Sequence, residues 1–153
     1  MLSIEHKLFL FLQEALDDAP AEDPLYEAEL HDSLHQVIKR DRGLRIGECR
    51  SLLAPRPDNA LDEFDARLTV TCFARVAGAD KSERLAARDA VIGLASKVIR
   101  LVLDDPTLGG RVCDLLAGQV DREYASINGQ PFALAKLPLV INPSGRRLND
   151  NET

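Results

Sequence analysis

The chain has 153 residues, 45% of them hydrophobic and 29% charged, the balance of an ordinary folded domain rather than a disordered one. One domain with a sizeable core is expected at this length. Aromatic residues make up 5% with no Trp, which argues against a stacking platform for single-stranded nucleic acid or sugars. Nineteen basic against twenty-five acidic residues give a net charge of −6, which argues against a whole-molecule basic field for gripping DNA.

The start, Met1 to Lys7, has no basic leader and no small-residue cleavage motif after the apolar run Leu8 to Leu12. No signal peptide is expected, and no stretch approaches the roughly 18–20 apolar residues that span a bilayer. Three widely spaced cysteines, Cys49, Cys72 and Cys113, fit neither a disulfide framework nor a metal knuckle. They read as reduced thiols, two or three of them buried, in a cytosolic protein.

In chain order, Ser3 is placed to cap a helix whose stripe is Ile4, Leu8, Phe11, Leu12 and Ala15. That helix should end near residue 17, because Asp17 and Asp18 oppose the C-terminal dipole and Pro20 cannot continue it. Residues 18–24 then form an acidic loop. Asp23 followed by Pro24, with Leu30, Leu34 and Val37 behind, predicts a short helix within 25–42, although His35 to Lys39 also fits an edge strand. Ile46, Glu48, Arg50 and Leu52 read as one short extended piece ending in the loop chemistry of Ala54 to Asn59.

The strongest strand signal follows. Phe64, Ala66, Leu68, Val70, Cys72, Ala74 and Val76 alternate with Asp65, Arg67, Thr69, Thr71, Phe73 and Arg75, so the first set is expected in the core and the second outside. Asp80-Lys81-Ser82-Glu83 predicts a capping box opening a long amphipathic helix to about Leu103. Its apolar face is Leu85, Val91, Ile92, Ala95, Val98, Ile99 and Val102. Asp104-Asp105-Pro106 ends it, and Thr107 to Gly110 reads as a flexible turn. Residues 111–124 fit either strand or short helix. Asn128-Gly129 then predicts a tight hairpin between 123–127 and 130–141, whose Pro131 and Pro138 point to an edge position or a bulge. The whole is one α+β domain over residues 1–142, a mixed, mainly antiparallel sheet with one long helix packed on it and an N-terminal helix. Residues 143–153 read as a disordered polar tail.

Few residues are candidates for chemistry. A helix through 25–38 would stack Glu27, His31 and His35, a spacing able to hold a divalent cation. The residues between the histidines are Asp32, Ser33 and Leu34, with no catalytic Glu, so both histidines are expected on a wet face. Cys72 belongs to a core face and should be inert, while Cys49 has no activating neighbour in sequence. The pairs Asp17-Asp18 and Asp104-Asp105 read as solvated loop carboxylates. Gly109-Gly110 and Asn128-Gly129 are turns rather than phosphate loops. Arg111, Arg122, Arg146 and Arg147 give the C-terminal third some basic character. The sequence therefore nominates no catalytic residue, no cofactor or its ligands, and no metal ligand, and a non-enzyme is expected.

The strand Phe64 to Phe73, the capped helix from Asp80 and the turn Asp104-Asp105-Pro106-Thr107-Leu108-Gly109-Gly110-Arg111-Val112 resemble the tail terminator (tail-completion) proteins of long-tailed phages and prophages, of the lambda type. The resemblance spans roughly residues 60–142 and the position of the first helix. It implies a ring, usually a hexamer, that caps the tail tube and meets the head connector. The partners it implies are other copies of the chain, the tube protein and connector proteins, with neither membrane nor sequence-specific nucleic acid. The location it implies is the virion tail, with host cytoplasm during assembly. The competing reading is a small non-catalytic α/β ligand-binding or adaptor domain. The 123–141 hairpin is the expected ring contact, by sheet addition. Six copies at −6 each would carry about −36, so net charge predicts association that rises with ionic strength.

Overall fold

The computed structural model describes residues 3–32, 38–47, 49–55, 58, 61–78 and 80–143. It opens with helix α1 (Ile4–Asp17), capped as expected: His6 N–H donates to Ser3 Oγ at 3.1 Å. Ile4, Leu8 and Leu12 are buried, and the helix stops at the two aspartates.

The helix expected within 25–42 is replaced by a turn and two short strands, β1 (Glu29–His31) and β2 (Arg42–Ile46). The local reason is visible. Glu27 has φ of 58°, which breaks any helix here. Backbone carbonyls left over at Tyr26 and Glu27 accept from the Arg42 and Arg40 guanidinium groups. Asp23 accepts from Leu25 N–H and pairs with Lys97 at 3.0 Å, which ties the loop to the long helix. Residues 33–37 lie outside the described residues, His35 among them.

The single extended piece expected around Ile46 to Leu52 is two strands, β2 and β3 (Arg50–Pro55), flanking Gly47, whose N–H donates to Thr69 O at 2.8 Å. The long strand is β4 (Leu61–Arg75). Helix α2 (Lys81–Asp104) follows with Asp80 at its N-cap position. The capping box does not form: Asp80 makes no side-chain bond to the helix backbone and instead accepts from Ser82 Oγ at 3.2 Å. Ala87, Val91, Leu94, Ala95, Val98 and Val102 are the buried face. Leu85, expected there, is 43% exposed. Residues 111–124 resolve to strands: β5 (Asp114–Ala117) and the start of β6 (Asp121–Ile127), which pairs with β7 (Gln130–Asn142).

All seven strands form one sheet in the order β1-β2-β4-β7-β5, with β3 alongside β4 and β6 alongside β7. Only β1 and β2 run parallel. The central pair is β4 and β7, in unbroken register from Ala66↔Ile141 to Arg75↔Phe132. The fold is α+β, as expected. One core spans both helices and the sheet face carrying Leu44, Val70, Cys72, Leu137 and Ile141, all 1% exposed or less. Each such aliphatic side chain contributes roughly 1.5–3 kcal/mol by leaving water.

β7 is central, so of the edge position or bulge expected from its prolines the edge is excluded and a bulge is found, opposite Pro138. Both prolines avoid a broken ladder by where their missing N–H would point. In a strand, the N–H and C=O of one residue face the same neighbour. Pro138 O accepts from Gly118 N–H at 2.8 Å, so its donor gap faces the outer strand where that strand is interrupted. There Ala117↔Leu139 ends β5 and Asp121↔Lys136 starts β6, which sets Gly118, Gln119 and Val120 against Leu137 and Pro138: a bulge of one residue. Pro131 O accepts from Val76 N–H, so its own gap faces β4 beyond the last paired residue, Arg75.

The second sheet face was expected to be polar. Instead Phe73, Phe132 and Leu134 form a small buried cluster there, with Ile38, Ala125 and Ile127 against it. Phe73 and Phe132 meet edge to face at 6.0 Å between centroids. The tail from Ser144 onward lies outside the described residues.

Candidate assembly surface

The hairpin turn is built as its sequence asks. Asn128 and Gly129 both have positive φ, 52° and 79°, the pair a type I′ turn needs to match the strand twist. A two-residue turn makes Ile127 and Gln130 the closing hydrogen-bonded pair. Alternation then aims the backbone of Asp121, Glu123, Ala125 and Ile127 at β7, and that of Arg122, Tyr124 and Ser126 away from the sheet. No described strand pairs with β6 on that side. β6 is also mostly solvent-exposed, with Tyr124 at 51%. It is an unprotected edge, seven residues long.

Beside this edge lies an open cleft of about 830 Å³ between the end of β4, the start of α2 and the hairpin. Arg75, Arg84, Tyr124, Ser126 and Gln130 supply its polar lining and Val76 and Pro131 part of its apolar wall, with no carboxylate among the described lining residues. Tyr124 Oη donates to Arg84 O at 3.1 Å, joining the edge strand to α2 at the lip. The Arg75 guanidinium lies 5.7 Å from the Phe132 ring centroid, a cation–π contact. Arg75 Nε is buried without a hydrogen-bond partner among the described residues, its ion-pair neighbour Asp41 being 3.9 Å away. Glu83 turns Oε2 into the bend at Gly78, also without a hydrogen bond among those residues.

The turn after α2 is closed by side-chain hydrogen bonds. Leu108, Gly109 and Gly110 all have positive φ, and Leu108 is fully buried. Asp105 holds the loop, accepting from Thr107 Oγ1 at 2.7 Å and Gly109 N–H at 3.0 Å. The Thr107 bond, helped by Gly109 N–H and the nearby Arg111 charge, keeps the Asp105 carboxyl below its ordinary range. Arg111 donates to Leu108 O and to Glu14 on α1. Asp105 is thus a turn organiser, not simply a solvated carboxylate, and Arg111 is committed to the fold.

The remaining candidates separate clearly. His31 is buried, not wet: its Nε2 meets Glu29 Oε2, its ring lies 5.4 Å from Phe73, and Glu29 Oε1 accepts from Lys39 N–H at 2.6 Å. Strand spacing puts Glu29 and His31 on one face, a pairing that a helical reading with Glu27 could not find. Among the described residues no group of three His, Cys, Asp or Glu is arranged to hold a metal. Cys72 is buried, and desolvation pushes its thiol up to about 12. Cys49 is half-buried and Cys113 exposed, so only one of the three cysteines is fully buried. Arg122 lies on the open β6 edge, while Arg146 and Arg147 lie outside the described residues. The cleft was not foreseen, because Arg75, Arg84 and Tyr124 are far apart in sequence and converge only when the hairpin folds back on α2.

No described helix is long and apolar enough to cross a membrane. No protein-family model matches the chain, and no curated protein matches it.

Proposed function

We propose that the protein is a structural component of a phage or prophage tail, a tail terminator whose copies close into a hexameric ring that caps the tail tube and meets the head connector. The observation that carries the reading is the open β6 edge: Arg122, Tyr124 and Ser126 turn their backbone away from the sheet, with no described strand beyond them. A second strand added there joins copies through main-chain hydrogen bonds. In a ring this edge meets a different surface of the next copy, a head-to-tail contact of the type that closes. The resemblance of the β4, α2 and 104–112 segments to this family supports the same assignment.

The cleft beside the edge favours one competitor, a non-catalytic binding or adaptor domain, since its volume is in the range of ligand pockets. Native mass spectrometry and negative-stain imaging over a concentration and salt series, with and without purified tail tubes, separate the two. A closed ring of defined size, forming alone or on tube ends, is the expected result. A chain that stays monomeric both alone and with tubes overturns the tail reading.

A further inference from the structure

We propose that the cationic cleft of one copy receives the acidic segment at the end of α1 of a second copy. The proposal rests on the ring reading and supplies its side-chain contact. Arg75 and Arg84 line the cleft, and among the described lining residues there is no carboxylate, although the whole chain carries −6 and Glu83 turns its carboxylate into the bend at Gly78. Arg84 is exposed and makes no ion pair with a described residue, and Arg75 is half-buried with only a long ion pair, to Asp41 at 3.9 Å.

The complementary charge lies at the other side of the sheet. Asp17, Asp18 and Glu22 are exposed and make no ion pair among the described residues. Asp17 and Asp18 sit at the negative end of the α1 dipole, and the last turn holds no basic residue. That placement costs the isolated chain stability, and a cation brought from outside offsets it. Asp23, paired with Lys97, anchors the segment to α2. The segment lies near β1, the edge strand on one side, and the cleft lies beside β6, on the other. The acidic segment has Lys39 and Arg40 of its own chain across a shallow pocket from Asp17, whereas the cleft arginines lie at the opposite edge and are left for a neighbouring copy.

This contact reverses the salt dependence expected from net charge. Charges brought within a few ångströms of one another outweigh a diffuse repulsion that is already screened beyond about 8 Å at physiological salt.

A charge exchange tests it on the full-length protein. Arg84→Glu and Asp18→Arg are each expected to weaken self-association by about tenfold or more in sedimentation velocity, with unchanged thermal melting, since both side chains are exposed. The double variant is expected to recover most of that loss. Glu22→Arg, alone and with Arg84→Glu, repeats the test on an independent carboxylate. Wild-type association is expected to fall as salt rises. Single variants that associate like wild type, a double variant that is worse than either single, or association that rises with salt overturns the contact and leaves the ring reading standing. A wild type that remains monomeric throughout the series also overturns it, because contact between copies needs no tube, and the tube arm then decides the ring.

Discussion

The two strands of the terminal hairpin share one turn and have opposite fates. β7 is bonded on both sides, to β4 along ten residues of register and to β5 and β6 on the other flank. Of its residues, Phe132 to Ala135, Leu137, Leu139 and Ile141 are buried. β6 pairs only with β7 and keeps most of its residues in water. The contrast separates what the chain needs to fold from what is left for a partner. Main-chain donors and acceptors are spent inside the molecule along β7, while along β6 every second residue still offers them outward. The apolar content follows: β6 has Ala125 and Ile127 against the small outer cluster, and β7 holds aliphatic residues on the core face.

Substitutions along the hairpin should divide accordingly. The largest effect is expected at Leu137, fully buried at the centre of β7. Leu137→Ala should cost about 3 kcal/mol in urea unfolding, because the cavity left beneath α2 cannot collapse. Arg122→Pro removes an N–H that points away from β7, so unfolding free energy should change by less than about 1 kcal/mol. The same substitution should lower self-association by about tenfold or more in native mass spectrometry, since the added strand loses a donor. If Arg122→Pro unfolds the chain, β6 belongs with β7 and the contrast fails.

Gly129→Ala forces a side chain onto φ of 79°. A loss of about 1 kcal/mol in thermal stability is expected, shared by both strands because the turn sets their register. The smallest effect lies away from the hairpin, at Asp105. Its carboxyl is held below its ordinary range by Thr107 Oγ1 first, then by Gly109 N–H and Arg111. A depressed folded-state value stabilises the fold above the unfolded value of about 3.9 and is lost as pH falls through the folded one. Melting temperature should thus fall between about pH 5 and 2, and Asp105→Asn should flatten part of that fall while lowering stability slightly at pH 7.

Much of this was legible in the residues. The strict alternation through β4, the stripes of α1 and α2, the Ser3 cap and the Asn-Gly turn each act within a few residues, so short-range chemistry settles them. The failures lie where a distant partner decides. Leu30, Leu34 and Val37 have helical spacing within 25–42, yet β1 exists because β2 lies beside it. Phe73 and His31 are buried because the outer face acquires its own small cluster. Pro131 and Pro138 could be placed inside a sheet only with knowledge of which neighbour each would have faced. For the surface, the hairpin was visible in sequence and the cleft was not, since Arg75, Arg84 and Tyr124 lie on three elements.

The sequence by itself determined the class of fold and the ends of its principal helices and its hairpin, because periodicity, capping and turn chemistry are local. It also carried the acidic loop at residues 18–24, as composition. Tertiary structure alone decided which hairpin strand is central and which is open. It set β4 against β7, completed the ladder of one strand, and left the backbone of the other facing outward beside two arginines. Strand order is fixed by pairing between residues far apart along the chain, so the edge that remains is a property of the whole sheet.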